Sequence, residues 1–92
     1  MEISNVDLRK KAQGFVQAIE KMTPKERDGR PTVTYGEDYN TLISMVHQAN
    51  PGLQRLLPPT VKIINAQNGQ KWCAQPYHEI LTFCAEIVNL LS

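Results

Sequence analysis

Residues 76–92 read PYHEILTFCAEIVNLLS, and the spacing within this stretch decides the fold class. Apolar side chains recur there at intervals of three and four residues, as they do on the buried face of an α-helix. They are Tyr77, Ile80, Leu81, Cys84, Ile87, Val88 and Leu91. Pro76 is placed at the first turn, where its missing N–H removes no helical hydrogen bond. The sequence therefore predicts a C-terminal helix with one broad apolar side.

Phe83 and Leu90 widen this apolar side to about half of the helix circumference, more than one neighbouring helix normally covers. The helix is therefore expected either to be central in the fold or to be shared with a partner. In the second case Phe83 and Leu90 form a candidate contact with another protein or with a second copy of the chain, as in a homodimer. In the alternative interpretation, a hairpin that carries Trp72 covers both side chains.

The N-terminal part of the chain carries the pattern of a second long helix. Ser4 can cap its first turn and Ile3 can pack on Leu8, so a helix is predicted from about Asn5 to about Met22. Its apolar stripe consists of Leu8, Ala12, Phe15, Ile19 and Met22.

Two more helix starts follow. Thr23 and Pro24 predict one further short turn of helix. Thr34 and Glu37 form a capping-box pattern, which predicts a helix over residues 35–49. Its apolar stripe is Tyr39, Leu42, Ile43, Val46 and Ala49.

Residues 50–60 are expected to contain a short third helix. Asn50 ends the preceding helix and can cap the new one, in which Leu53, Leu56 and Leu57 point inward.

Residues 61–74 are predicted to form a small β-hairpin around Asn68 and Gly69, a favoured two-residue turn. In this register Ile63 faces Ala74 and Asn65 faces Trp72. A helical turn followed by a loop is the alternative. The expected fold is thus a single mainly α domain over residues 1–92, an irregular bundle of three to four helices with one short β-hairpin at about residues 61–74.

Composition narrows the classes of partner and compartment. Ten basic and nine acidic residues give a net charge of +1, so no strong field attracts nucleic acid, which is an unlikely partner. No signal-peptide pattern and no run of 18 apolar residues is present, so neither export nor a membrane span is expected. Cys73 and Cys84 are expected to be free thiols in a cytoplasmic protein, because Cys84 falls on an apolar stripe.

No cofactor or metal is expected, because the histidines and cysteines lack the spacing that metal sites use. The one dense set of groups suited to catalysis is Tyr35, Glu37, Asp38 and His47. Glu37 and Asp38 are better explained by the positive end of a helix, and His47 by the negative end. A non-enzymatic protein is therefore predicted, with a small enzyme or enzyme subunit as a distant alternative.

A cluster of four basic residues supports a second function, binding of nucleic acid or another polyanion. Its members are Lys21, Lys25, Arg27 and Arg30. Glu20, Glu26 and Asp28 interrupt the cluster, which is more typical of an ordinary solvated surface.

Gly14 falls on the outer side of the first helix, where glycine costs about 1 kcal/mol relative to alanine. Its small size allows another backbone to approach, so Gly14 joins Phe83 and Leu90 as a candidate partner-binding residue. The sequence is most consistent with a small protein–protein interaction or regulatory module. The initial methionine fits either a complete small protein or the first domain of a longer one.

Overall fold

The computed structural model describes residues 4–66 and 68–92. Its elements in chain order are helices α1 (Asn5–Glu20), α2 (Pro24–Arg27) and α3 (Val33–Ala49), a 3-10 turn (Pro51–Leu53), strands β1 (Ile63–Asn65) and β2 (Lys71–Cys73), and helix α4 (Tyr77–Leu90). The predicted fold class is confirmed, because these elements form a mainly α fold with one antiparallel hairpin. Ile3, which was predicted to pack on Leu8, lies outside the described residues.

One apolar core lies between α1, α3 and α4, and α1 packs chiefly against α4. The fully or almost fully buried members are Leu8, Ala12, Ile19, Tyr39, Leu42, Ile43, Val46, Val61, Cys73, Ile80, Cys84 and Ile87. The apolar stripes predicted for the three long helices supply most of this core, but Ala49 is exposed and Met22 lies beyond the end of α1. Each large aliphatic side chain buried in this way stabilises the fold by about 1.5–3 kcal/mol.

Helices α1 and α3 run antiparallel, and contacts at both of their ends show it. At one end, the side-chain amides of Asn5 and Asn50 exchange hydrogen bonds of 3.0 and 2.8 Å. At the other end, the rings of Phe15 and Tyr35 lie edge to face with centroids 5.1 Å apart. The first residues of α1 therefore lie beside the last residues of α3.

The predicted cap of α3 at Thr34 is wrong, and the helix begins at Val33 rather than at residue 35. The hydroxyl of Thr32 accepts a hydrogen bond from the Tyr35 N–H at 3.3 Å. Thr32 follows the buried Pro31 and has the extended backbone of an N-cap residue. Its hydroxyl, and not that of Thr34, therefore caps the free N–H groups of the first turn. Thr34 consequently lies inside the first turn.

The predicted short third helix is present only as one 3-10 turn at Pro51–Leu53, and of the leucines expected to point inward Leu57 packs against the core. The Asn50 side chain makes no cap for this turn and pairs with Asn5 instead. Leu56, which was expected to point inward, is 60% exposed.

Two side chains of α3 hold the segment that follows. The hydroxyl of Tyr39 donates to the carbonyl oxygen of Pro59 at 2.8 Å. The Asn40 side chain accepts from the Val61 N–H at 2.8 Å and donates to the Val61 carbonyl at 3.0 Å. This amide pairs with Val61 as a neighbouring strand would, and Val61 is carried into the core.

The hairpin at residues 61–74 is confirmed, but the predicted register is wrong. Ile63 pairs with Cys73 and Asn65 with Lys71, where Ala74 and Trp72 were expected. The Ala66 N–H donates to the Gln70 carbonyl at 2.7 Å, and Gly69 takes a φ of 83°. Ala66 thus pairs with Gln70, one residue earlier in the first strand than a two-residue turn at Asn68 and Gly69 would require, and this shifts every pair by one.

Candidate functional site

An open groove of about 450 Å³ runs between α1 and α3. Helix α1 packs less extensively against α3 than against α4, and the groove lies along the side where α1 and α3 meet. The residues that line it are Lys11, Gly14, Phe15 and Ala18 from α1, and Tyr35, Asp38, Thr41, Leu42 and Met45 from α3. Its size and its mainly apolar lining make this groove a candidate ligand site.

Part of the α1 wall of the groove consists of small residues, so few side-chain atoms project from it. Gly14 and Ala18 are one turn apart and both are exposed. No atom of the described residues lies within 4 Å of a Cβ placed on Gly14. The structure thus places Gly14, a residue selected from sequence for partner contact, at an open position in the groove.

An aromatic cluster supports the groove from beneath. Phe15 and Tyr35 line the groove, and Phe15 also lies 6.4 Å from Tyr39. Tyr35 lies 5.2 Å from Tyr77, and Tyr39 lies 6.1 Å from Phe83, all measured between ring centroids. Five of the six aromatic residues therefore connect α1, α3 and α4. Aromatic pairs of this kind favour offset or edge-to-face geometry and stabilise the packing by about 0.5–1.5 kcal/mol each.

The two ends of the groove carry opposite charges. Because α1 and α3 are antiparallel, Lys11 lies at the end near Met45, and Asp38 at the end near Ala18. Both charged residues are exposed, and neither makes an ion pair with another described residue. Between these ends, the lining is predominantly apolar.

Three buried groups near the groove resist ionisation. The Tyr35 hydroxyl oxygen is buried and has no hydrogen-bond partner among the described residues. Burial raises the pKa of this phenol well above its usual range, as it does for Tyr39. Burial also raises the pKa of the Cys84 thiol to about 12. These groups therefore remain neutral and serve packing.

The other two candidate partner-binding residues, Phe83 and Leu90, are both half-buried on α4. Phe83 packs against the core, where its ring lies beside Tyr39. Tyr39, rather than a hairpin alone, therefore covers part of Phe83. A contact between chains through Phe83 and Leu90 remains a prediction.

The structure gives one member of the basic cluster a local role. The Arg27 guanidinium donates from Nε to the Ile19 carbonyl at 3.1 Å and from Nη2 to the Glu20 carbonyl at 2.6 Å. These carbonyls lie in the last turn of α1, where a helix leaves carbonyls without helical partners. The Ile19 carbonyl also accepts from the Met22 N–H at 3.0 Å, so Arg27 adds a second hydrogen bond there and supplies one to Glu20. Lys21, Lys25 and Arg30 are exposed.

The residues considered for catalysis do not converge. Tyr35 and His47 lie at opposite ends of α3, about 18 Å apart along the helix axis. Glu37 and Asp38 are exposed near its beginning. Within residues 4–66 and 68–92, no three His, Cys, Asp or Glu residues are grouped so that they could hold a metal ion.

No protein family, curated protein or solved structure matches this chain. No helix in the described ranges is long and apolar enough to cross a membrane.

The sequence marked Gly14 as a partner contact and Tyr35 and Asp38 as candidates for catalysis, but it did not predict that these residues line one groove. Phe15 and Leu42 were assigned to buried stripes, and Met45 was not selected. The sequence signal was the pair of small residues Gly14 and Ala18 on the outer side of one helix. Periodicity shows which side of a helix is apolar, but not how far two helices diverge.

Proposed function

We propose that this chain is a non-enzymatic protein–protein interaction module that binds its partner in the groove between α1 and α3. The observation that carries the proposal is the open apolar groove at Gly14. Glycine weakens an exposed helix by about 1 kcal/mol relative to alanine. At Gly14 no neighbouring atom accounts for the absence of a side chain, whereas a backbone docked in the groove would.

The lining suits recognition better than chemistry. Ligand sites typically enclose about 300–1,000 Å³ and combine apolar walls with a few polar groups, and this groove has that size and composition. Its polar groups are Lys11, Asp38 and Thr41. These lie on the rims, where they can orient a partner.

The groove is small for a permanent complex. Stable interfaces bury at least about 1,000 Å² in total, so contact through this groove alone fits a transient, regulatory association.

We also propose a reducing compartment such as the cytoplasm, which the free buried thiols of Cys73 and Cys84 support.

Site-directed photo-crosslinking in the source cells tests the function. A photoreactive amino acid at Ala18 reports on the groove, and one at Thr82, exposed on α4, is the matched control. We expect a discrete crosslinked protein from Ala18 that is absent from Thr82 and is lost when Gly14→Trp fills the groove. Equal crosslinking from both positions, or crosslinking that persists with Gly14→Trp, would exclude the groove as the binding site.

A further inference from the structure

Resting on the function proposed above, we infer that the occupant of the groove is an amphipathic helix of another protein. This helix carries a basic side chain and an acidic side chain about two turns apart, with apolar side chains between them. The basic group lies at the Asp38 end of the groove and the acidic group at the Lys11 end.

The backbone of the groove walls favours a helix over an extended peptide. Both walls are helices, whose interior N–H and C=O groups are already paired within the helix. An extended peptide lying there would bury backbone groups without partners, at a cost comparable to a lost hydrogen bond for each. A helix satisfies its own backbone, and docking of its apolar face in such a groove is a recurrent mode of recognition.

The length of the groove determines the spacing of the charged side chains on the partner helix. From Lys11 to Ala18 the groove spans about two turns, or about 10 Å. Residues i and i+7 of a docked helix are separated by the same rise, and residues i+3 and i+4 lie between them on the same face. Charged groups at i and i+7 therefore reach the two ends of the groove, while apolar groups at i+3 and i+4 enter its middle.

The shape argues against a second copy as the occupant. Two-fold pairing of this face would place one hollow against the same hollow of the other copy. Gly14 and Ala18 supply no side chain large enough to fill either hollow. A void left in this way forfeits packing contacts, whereas a convex helix with larger side chains fills it.

Four stapled helical peptides with identical leucines at i+3 and i+4 test the inference. Stapling removes most of the cost of forming the helix. The residues at i and i+7 are Lys and Glu, Glu and Lys, Lys and Lys, or Glu and Glu. Binding is followed by amide chemical shifts of Gly14, Ala18 and Thr41 in the full chain.

With the parent protein, we expect the two peptides of mixed charge to bind on the order of three- to tenfold more tightly than the two of like charge. Lys11→Glu makes both ends of the groove acidic and should transfer the preference to the Lys and Lys peptide. Asp38→Lys makes both ends basic and should transfer it to the Glu and Glu peptide. Added salt should reduce all three preferences, because exposed charges are screened.

These measurements distinguish failure of the inferred helical partner from failure of the proposed function. Binding that ignores end charge in all three proteins but is lost with Gly14→Trp would overturn this inference and leave the proposed function standing. Failure of all four peptides to bind would overturn the inferred helix, with the crosslinking result still deciding the function. Self-association that Gly14→Trp abolishes would identify a second copy as the occupant. Gly14→Ala should weaken binding without unfolding the chain, since its Cβ meets no atom of the neighbouring residues within 4 Å but occupies space that the docked backbone uses. Thr82→Ala, at an exposed position on α4, is the control and should bind as the parent does.

Discussion

Tyr35 and Tyr39 lie one turn apart on α3, and only Tyr39 has a hydrogen-bond partner for its buried hydroxyl among the described residues. Tyr39 donates to the Pro59 carbonyl at 2.8 Å. The Tyr35 hydroxyl is buried without a partner, although its ring packs edge to face on Phe15. An unpaired buried polar group is costly, so the two hydroxyls affect stability in opposite directions.

We therefore expect Tyr39→Phe to lower the free energy of unfolding by about 1 kcal/mol, because a native hydrogen bond is lost. Tyr35→Phe keeps the ring and should leave stability unchanged or raise it by up to about 1 kcal/mol, because it removes an unsatisfied hydroxyl. Urea denaturation of both variants measures the difference. Equal destabilisation by the two substitutions would show that Tyr35 has a partner in solution.

Gly14 and Gly36 should respond oppositely to alanine. A Cβ at Gly14 enters open space, so Gly14→Ala should stabilise by about 0.5–1 kcal/mol through helix propensity. A Cβ at Gly36 would overlap Cys73 Sγ and crowd Ile63 and Val61, each with an atom at 3.2 Å. Overpacking of this kind typically costs about 1–3 kcal/mol. Thermal unfolding midpoints that move in the same direction for both variants would contradict this account.

The sequence predicts features that depend on residues close together in the chain better than features that depend on contacts between distant residues. The helices follow from periodic burial, which is local, and Leu8, Ile19, Ile80 and Ile87 were all placed correctly. The cap of α3 was misplaced because Thr32 and Thr34 offer the same hydroxyl, and only the backbone conformation, extended at Thr32 and helical at Thr34, distinguishes them.

The longer-range features required contacts that no local pattern contains. The hairpin register depends on one residue of loop length, and so does the face on which Cys73 lies. The groove depends on how α1 and α3 pack together, because residues of both helices line it. Only the small size of Gly14 marked it in the sequence.

Cys84 should react slowly and should link stability to alkaline pH. The reactive species is the thiolate, and burial raises the pKa of Cys84 from 9.0 to about 12. The folded protein thus holds this proton more tightly than the unfolded chain does. The contribution to stability is complete below about pH 9 and is lost as pH rises towards about 12.

Thiol labelling at pH 8 should therefore be slow in the native state and fast in urea, while unfolding free energy should fall above about pH 9. Cys84→Ala removes one titrating group and should make this fall shallower. The raised pKa values of Tyr35 and Tyr39 act in the same direction and leave a residual slope. Rapid native labelling of Cys84 would contradict its burial.

Arg27 should contribute to stability where Arg30 does not. Arg27→Ala removes two hydrogen bonds to the carbonyls that end α1, and we expect a loss of about 1 kcal/mol. Arg30 is exposed, so Arg30→Ala should change stability by less than about 0.5 kcal/mol. Urea denaturation distinguishes them. Salt-sensitive retention of RNA that both substitutions abolish without unfolding the chain would instead support polyanion binding.

Phe83 and Leu90 were predicted to form one contact between chains, and the structure separates what each can contribute. Phe83 packs beside Tyr39, so Phe83→Ser should destabilise the single chain by about 2 kcal/mol or more, whatever its oligomeric state. That substitution therefore cannot test self-association alone. Leu90 is half-buried near the end of α4 and is not among the residues packed against the core, which makes Leu90→Ser the cleaner variant.

We expect weak self-association of the parent at high concentration. The area that Phe83 and Leu90 alone can bury falls well below the roughly 1,000 Å² of a stable interface. Light scattering over a concentration series should show a mean mass that rises with concentration for the parent and stays constant for Leu90→Ser. The thermal midpoint at low concentration should be nearly the same for both proteins. A parent that stays monomeric over the whole series would show that Leu90 serves only its own chain, and the groove at Gly14 would then be the one partner-binding surface proposed for this chain.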